Sequence, residues 1–256
     1  MGLLLPNIRR LFVPDPGYVL LDCDLAGADA QVVAWEANDE DLKEAFRKGL
    51  KVHHKNAADM WGEAYTSLAA DDPRKAKRYY EIKRAVHGTN YLSTPKNIAA
   101  ILNWTVGEAT DFQRKWFSLH PGIKAWHNRI RESLERSRSV TNAYGFTRTY
   151  FDRVDSILPE AVAWNPQSTV AITCFKGALS LRENLPWVEI LIQVHDSLVM
   201  QIPLSRIGDV LLVRRHLLNT IPYPDPLVIQ WGLSLSPTSW GDVKELKWEE
   251  AADLKL

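Results

Sequence analysis

The chain has 256 residues, enough to bury a full core as one domain or as two lobes sharing one core. Its apolar fraction of 46% and charged fraction of 24% are those of an ordinary soluble globular protein, and its longest apolar runs are far too short to span a membrane. Lys plus Arg and Asp plus Glu both number 31, so net charge carries no nucleic-acid signal and any basic surface must be local.

Cys23 and Cys174 lie in apolar surroundings and read as small buried hydrophobes, not as a disulfide frame. The start, MGLLLPNIRR, is too short for a secretory signal. A cytoplasmic protein is expected. Ten Trp is a high count, and aromatic surface suits either a core or base stacking.

In chain order, residues 17–25 read as a strand and Ala28–Ala37 as a helix. A helical tract over about 39–138 is broken near Gly49, Gly62, Thr94-Pro95, Thr105-Gly107 and His120-Pro121-Gly122. VTNAYGFTRTYF reads as a hairpin turning near Tyr144-Gly145. A helix is expected at about 156–183, two strands in VEILIQVHDSLVMQIP and a helix from Leu204 to Leu218. A last strand, PLVIQWGLSL, precedes a Trp-rich tail. Strands at both ends with helices between predict an α+β lobe carrying a helical insertion.

Two places put acids against apolar strands. Asp22 and Asp24 follow Val19, Leu20 and Leu21, and strand alternation puts both side chains on one face. Asp196 lies in a polar triplet, His195-Asp196-Ser197, between two alternating apolar runs. Each acid alone has a plain structural explanation, as a helix cap or a turn residue. Together they admit a second one. Carboxylates from two strand ends that share a sheet edge repel unless a cation lies between them, and hard divalent ions prefer such oxygen ligands. Spacing alone leaves both readings open.

DDPRKAKRYYEIKRAVHGTNYL is a basic helix, with Asp72 as its cap and Pro73 at its first position. Lys83, His87 and Tyr91 recur every four residues along one face. That stripe suits triphosphate, sugar and base in turn; a solvated basic face with Tyr91 packed inward is the plainer alternative.

With these residues in view, the chain resembles the polymerase domain of the DNA polymerase I family, family A, over about residues 8–243. LLDCDLAGADAQVVA resembles its first catalytic motif, KRAVHGTNYL its fingers helix and IQVHDSLVMQIP its third motif. KVHHKNAADMWG, HPGIKAW and NPQSTVA resemble three intermediate landmarks, in collinear order. The resemblance implies an α+β fold, an antiparallel palm sheet with flanking helices and a large helical fingers insertion. The palm would be residues 1–37 and 158–256 and the fingers 38–157, with thumb and exonuclease domains absent.

The implied function is DNA-directed DNA polymerase, extending a primer 3′ end by two-metal-ion nucleotidyl transfer. Asp24, Asp196 and the carbonyl of Leu25 would hold two Mg²⁺, with Mn²⁺ as a substitute. Asp24, Asp196 and Lys83 would be catalytic. His53, Lys83, His87, Tyr91, Asp29 and Arg78 would meet the nucleotide. Gln167, Gln193, His195, Arg148 and Tyr91 would meet the primer-template. The implied partners are primer-template DNA, deoxynucleoside triphosphates and a second chain supplying the thumb, with no membrane.

This sequence departs from the family pattern at several positions. Asp29 stands for the usual Glu of the sugar gate, His87 for Phe or Tyr, and Tyr79 for an Arg, with Arg78 beside it. Leu92 stands for Gly, Gln31 for Arg and Ser197 for an acid. A catalytically impaired, polymerase-like nucleic-acid-binding protein is therefore the alternative; the retention of Asp24, Lys83 and Asp196 favours activity. A two-metal nuclease would have little need of the Lys83–His87–Tyr91 stripe.

Overall fold

In the computed structural model, which describes residues 7–254, a 3-10 turn (Ile8–Leu11) leads to strand β1 (Tyr18–Leu25). The expectation for the first residues, 1–6, lies outside the described residues. Then come α1 (Ala28–Glu36), α2 (Glu40–Arg47), α3 (Val52–Trp61), α4 (Glu63–Thr66) and α5 (Pro73–Asn90). They are followed by α6 (Pro95–Leu102), α7 (Val106–Leu119) and α8 (Pro121–Ser137). The hairpin β2 (Ser139–Thr141) and β3 (Thr147–Thr149) precedes the long α9 (Val154–Asn184). The remaining elements are β4 (Glu189–Val194), β5 (Ser197–Pro203), α10 (Val210–Leu217), β6 (Trp231–Ser236), β7 (Lys244–Leu246) and α11 (Trp248–Ala252).

Two sequence expectations need correction. The helix expected from Leu204 begins as a 3-10 turn, Leu204–Asp209, whose first N–H bonds the Gly17 carbonyl beside β1, and becomes α-helical only at Val210. The last strand pairs only from Trp231. Upstream of it, Pro222, Pro224 and Pro226 remove backbone donors, and Leu227 turns back to bridge Ile221.

The chain forms two compact units, Met1–Ala28 with Thr169–Leu256, and Asp29–Ser168. The first holds a five-stranded sheet in the order β4-β5-β1-β6-β7, with every pair antiparallel. Period-two alternation sorts its side chains. Val19, Leu21, Cys23 and Leu25 share a face with Leu198, Met200 and Ile202 of β5 and Leu233 and Leu235 of β6, all buried. On the opposite face Asp22 lies across from Val199 and Ser234, and Asp24 across from Ser197 and Gly232. The strand can thus carry acids without placing them in the core. β5 alternates as expected, but its second face is covered too: Val199 packs with Leu20 and Trp240, and buried Gln201 bonds Asp15 and Glu189.

In the second unit, Asp72 caps α5 through the Arg74 N–H at 2.8 Å and Pro73 opens the helix, as its sequence predicts. The other end of α5 is fixed by buried Asn90. Its side-chain oxygen accepts from Trp116 Nε1 at 2.9 Å, and its carbonyl lies 2.8 Å from His127 Nε2. Gly122, at the start of α8, has no room for a side chain, since a Cβ there would lie 2.5 Å from the Ala37 carbonyl oxygen.

After α5 the chain turns through Tyr91 to Leu92, whose φ is 59°. An L-residue with a branched side chain is strained in that left-handed conformation, whereas glycine adopts it freely. This is the position where the family pattern has Gly. Leu92→Gly should therefore raise unfolding stability by about 1 kcal/mol. A lowered melting temperature would contradict this account of the turn.

Candidate active site

The first group of candidate residues lies where β1 meets the β4–β5 hairpin. The Leu25 N–H donates to the Asp196 carbonyl at 2.9 Å, tying the hairpin tip to the end of β1. His195, in the same tip, has φ 53°, and the Gln193 side-chain amide donates to its carbonyl at 2.5 Å. Across β1, a Cβ on Gly232 would lie 2.8 Å from Asp24 Oδ1, so glycine leaves the room that this carboxylate occupies.

Asp22 and Asp24, ambiguous in sequence, differ in their surroundings. Both oxygens of Asp22 are engaged: Oδ1 accepts from Ser197 Oγ, and Oδ2 accepts from Trp240 Nε1 at 2.7 Å. Among the described residues no side chain donates to Asp24, and no basic group pairs with Asp22, Asp24 or Asp196. Although the Asp24 side chain reaches solvent, burial of its carboxylate and then the charges of Asp196 and Asp22 push its pKa upward. Carboxylates grouped with no basic partner among the described residues make a local excess of negative charge.

The second group lies on the helical unit. Lys83 and His87 are exposed on α5. Asp29, at the start of α1, accepts a hydrogen bond from the Tyr91 hydroxyl through Oδ1, and its Oδ2 lies 3.3 Å from His87 Nδ1. The His87 and Tyr91 rings meet edge to face with centroids 4.7 Å apart. Burial and then the Asp29 charge drive the Tyr91 phenol far above its ordinary range, so it stays a donor.

His53, on α3, meets Tyr79 edge to face at 5.9 Å, and its buried Nδ1 has no hydrogen-bond partner among the described residues. Burial, followed by the charges of Lys83, His54 and His87, lowers its pKa to about 4. Arg78 does not join this group. It pairs with buried Glu81 at 3.2 Å and stacks over Trp61 at 4.8 Å, while Tyr79 continues the face that bears Lys83.

Elsewhere in the second unit, Gln167 is exposed on α9. Arg148 on β3 is paired with Glu160 and lies over the Tyr150 ring. Sequence reasoning missed Gly232 and Trp240. A glycine inside a strand pattern was an available signal for close backbone or side-chain approach; the Trp240–Asp22 bond, 218 positions apart, had none.

A separate group, Asp39, Asp41 and His120, brings three potential ligand atoms within 4.8 Å of one another. Their side chains are already engaged. Asp39 Oδ1 caps α2 through the Leu42 N–H at 3.0 Å, its Oδ2 lies 3.0 Å from His120 Nδ1, and Asp41 pairs with Lys55. Burial pushes Asp39 upward, but its bonds to His120 and Leu42 outweigh this and leave its pKa low. The group acts as a cap and ion-pair cluster.

The depressed His53 has a pH signature. The unfolded chain takes up this proton near pH 6.5 and the folded protein only near 4, so stability falls as pH drops through that window. His53→Gln should flatten this part of the stability curve. An unchanged slope in urea denaturation between these pH values would contradict the placement of His53.

The family described as DNA polymerase family A matches residues 4–236. DNA polymerase I of Geobacillus stearothermophilus is 30% identical over 215 residues, covering 78% of this chain and 24% of that protein. The thermostable DNA polymerase I of Thermus filiformis is 29% identical over 249 residues, 93% of this chain and 29% of that protein. The chain thus spans under a third of the length of these relatives. The polymerase domain of Pol1 from M. smegmatis, solved with a DNA primer-template and dNTP, shares the fold with a TM-score of 0.76 at 20% identity, over 91% of this chain and 42% of that one. A family match across nearly the whole chain, on an α+β fold with a five-stranded antiparallel sheet, places this protein in DNA polymerase family A.

Proposed function

We propose that this chain is a catalytic core that adds deoxynucleotides to a primer 3′ end under the direction of a DNA template. The sheet-bearing unit acts as the palm and the helical unit as the fingers. The observation that carries this reading is the uncompensated pair Asp24 and Asp196, held where β1 meets the hairpin tip. A donor set of carboxylates without basic partners fits hard divalent cations. Asp24, Asp196 and the Leu25 carbonyl would hold two Mg²⁺, or Mn²⁺ in their place. Bound there, such ions supply Lewis-acid activation of the primer hydroxyl and charge stabilisation for the departing pyrophosphate.

The chain's own side chains supply the rest. Lys83 is exposed and cationic, suited to neutralising the leaving phosphates and giving them a proton. His53, whose pKa is held low by burial and then by its cationic neighbours, would bind a β-phosphate whose charge offsets both and favours its protonated form. His87 lies against the sugar and base, Tyr91 serves the templating position, and Asp29 fixes both rings while acting as the gate against ribose. Arg78, tied to Glu81, contributes to the nucleotide end by shaping the helix more than by direct contact. Gln193 and His195 position the primer end, Gln167 reads a minor-groove edge, and Arg148 meets the backbone. With a net charge of zero, part of the grip on duplex phosphates comes from elsewhere, either a second chain or a further segment.

Primer extension on a short DNA hairpin, at low salt with Mg²⁺ and all four deoxynucleotides, tests this function. The parent should extend the hairpin. Asp24→Ala and Asp196→Ala should each slow extension by on the order of a thousandfold or more, with melting temperatures at or above the parent's because crowded carboxylates are removed. Extension at the parental rate by either variant would refute the assignment. A parent that binds DNA and nucleotide without extending would support the binding-only alternative.

A further inference from the structure

A third carboxylate adjoins the proposed metal ligands, and the hydrogen bonds around it are unusual for a bystander. Asp22 stands two residues before Asp24 on the same face of β1. It is only partly buried, yet both of its oxygens are taken by donors that reach it from two different elements. Ser197 Oγ comes from the first residue of β5, directly after Asp196. Trp240 Nε1 comes from a 3-10 turn, Trp240–Asp242, far along the chain.

Neither donor is free to drift. Trp240 is buried in a cluster with Leu20 and Val199, its backbone N–H donates to the Phe12 carbonyl at 2.9 Å, and the Phe12 ring meets its indole edge to face. The guanidinium of Arg9 lies over the same indole at 4.4 Å. Ser197 is held in register opposite Asp24. Asp22 therefore links a rigid aromatic anchor to the residue beside Asp196. Asp196 itself is tied through its carbonyl to the Leu25 N–H. Asp196 and the residue after it are thus both referenced to β1, the strand that carries Asp24.

We propose that Asp22 is a positioning residue for the divalent-metal site. It orients Asp196 through Ser197, and its fixed negative charge adds to the attraction for a cation without itself becoming a ligand. This inference rests on the reading of Asp24 and Asp196 as metal ligands. A carboxylate with both oxygens committed to fixed donors loses its freedom, which suits a group acting one step removed from the ion.

Terbium(III) titration of the whole chain tests this apart from catalysis, because bound terbium emits when a nearby Trp is excited. Magnesium competition then gives the affinity for the smaller ion. The variants are Asp22→Asn, which removes the charge at nearly constant shape, and Ser197→Ala, which keeps the charge and cuts the link to the hairpin tip. Asp196→Ala serves as the ligand control, and thermal melting is followed in each. Asp22→Asn should weaken terbium and magnesium binding by on the order of tenfold, as for other groups that orient metal ligands. Ser197→Ala should weaken both in the same direction and by less.

Lowered melting temperatures with parental affinity in both variants would mean a purely structural clamp, and would overturn the inference. Should Asp22→Asn fail to fold, Ser197→Ala decides alone: parental affinity overturns the inference and weakened binding supports it. Terbium binding that Asp196→Ala leaves untouched would overturn the metal assignment and this inference with it. Binding lost in Asp196→Ala but parental in both other variants would overturn this inference alone.

Discussion

The arrangement depends on the antiparallel pairing of β1 with β5 on one side and β6 on the other. Because side chains alternate with a period of two, this register fixes which residues meet water, core or substrate. A slip of one residue would carry Asp22 and Asp24 into the face now filled by Leu21, Cys23, Met200 and Leu233. The buried apolar face therefore holds the register against a high penalty, and the acids on the other face inherit its precision. Gly232 belongs to the same constraint, since the pairing sets it against Asp24, where a Cβ would collide with the carboxylate.

The helical unit solves a different problem: presenting one face of a long, strongly charged helix in a defined orientation. α5 carries few apolar residues on its outer face, so its direction is set at the two ends. Asp72 and Pro73 fix the start, and Asn90, bonded through side chain and carbonyl to two later helices, fixes the finish. Tyr91 then bonds Asp29 at the beginning of α1. The left-handed turn at Leu92 is the cost of changing direction at once after that bond, a strain that glycine would not incur.

Much of this was legible in the sequence where the determinant is local. The VLLDCDL strand, the Asp72-Pro73 helix start, the HDS turn between alternating runs and the four-residue stripe of Lys83, His87 and Tyr91 all follow from period and capping chemistry. The choice between Asp22 and Asp24 does not. Alternation puts both on one face, and only the resemblance to a polymerase motif separated them. The physical distinction lies in partners far along the chain, Ser197 and Trp240, which no local pattern announces. The positive φ of Leu92 was hidden for a related reason: a leucine carries none of the propensity that a glycine would display there. The prolines before β6 were visible, but their effect on strand length depended on Leu227 turning back to Ile221, a pairing set by tertiary structure.

The proposed divalent-metal site is formed by Asp24 and Asp196 and not by the Asp39–Asp41–His120 group, whose side chains already bond one another, the Leu42 N–H and Lys55. Anomalous scattering from crystals of the protein soaked in Mn²⁺ measures this most directly. The account predicts manganese density bridging Asp24 and Asp196, no density at Asp39, Asp41 and His120, and Asp22 still bonded to Ser197 and Trp240. Density confined to the His120 group, or none beside Asp24 at saturating Mn²⁺, would contradict it.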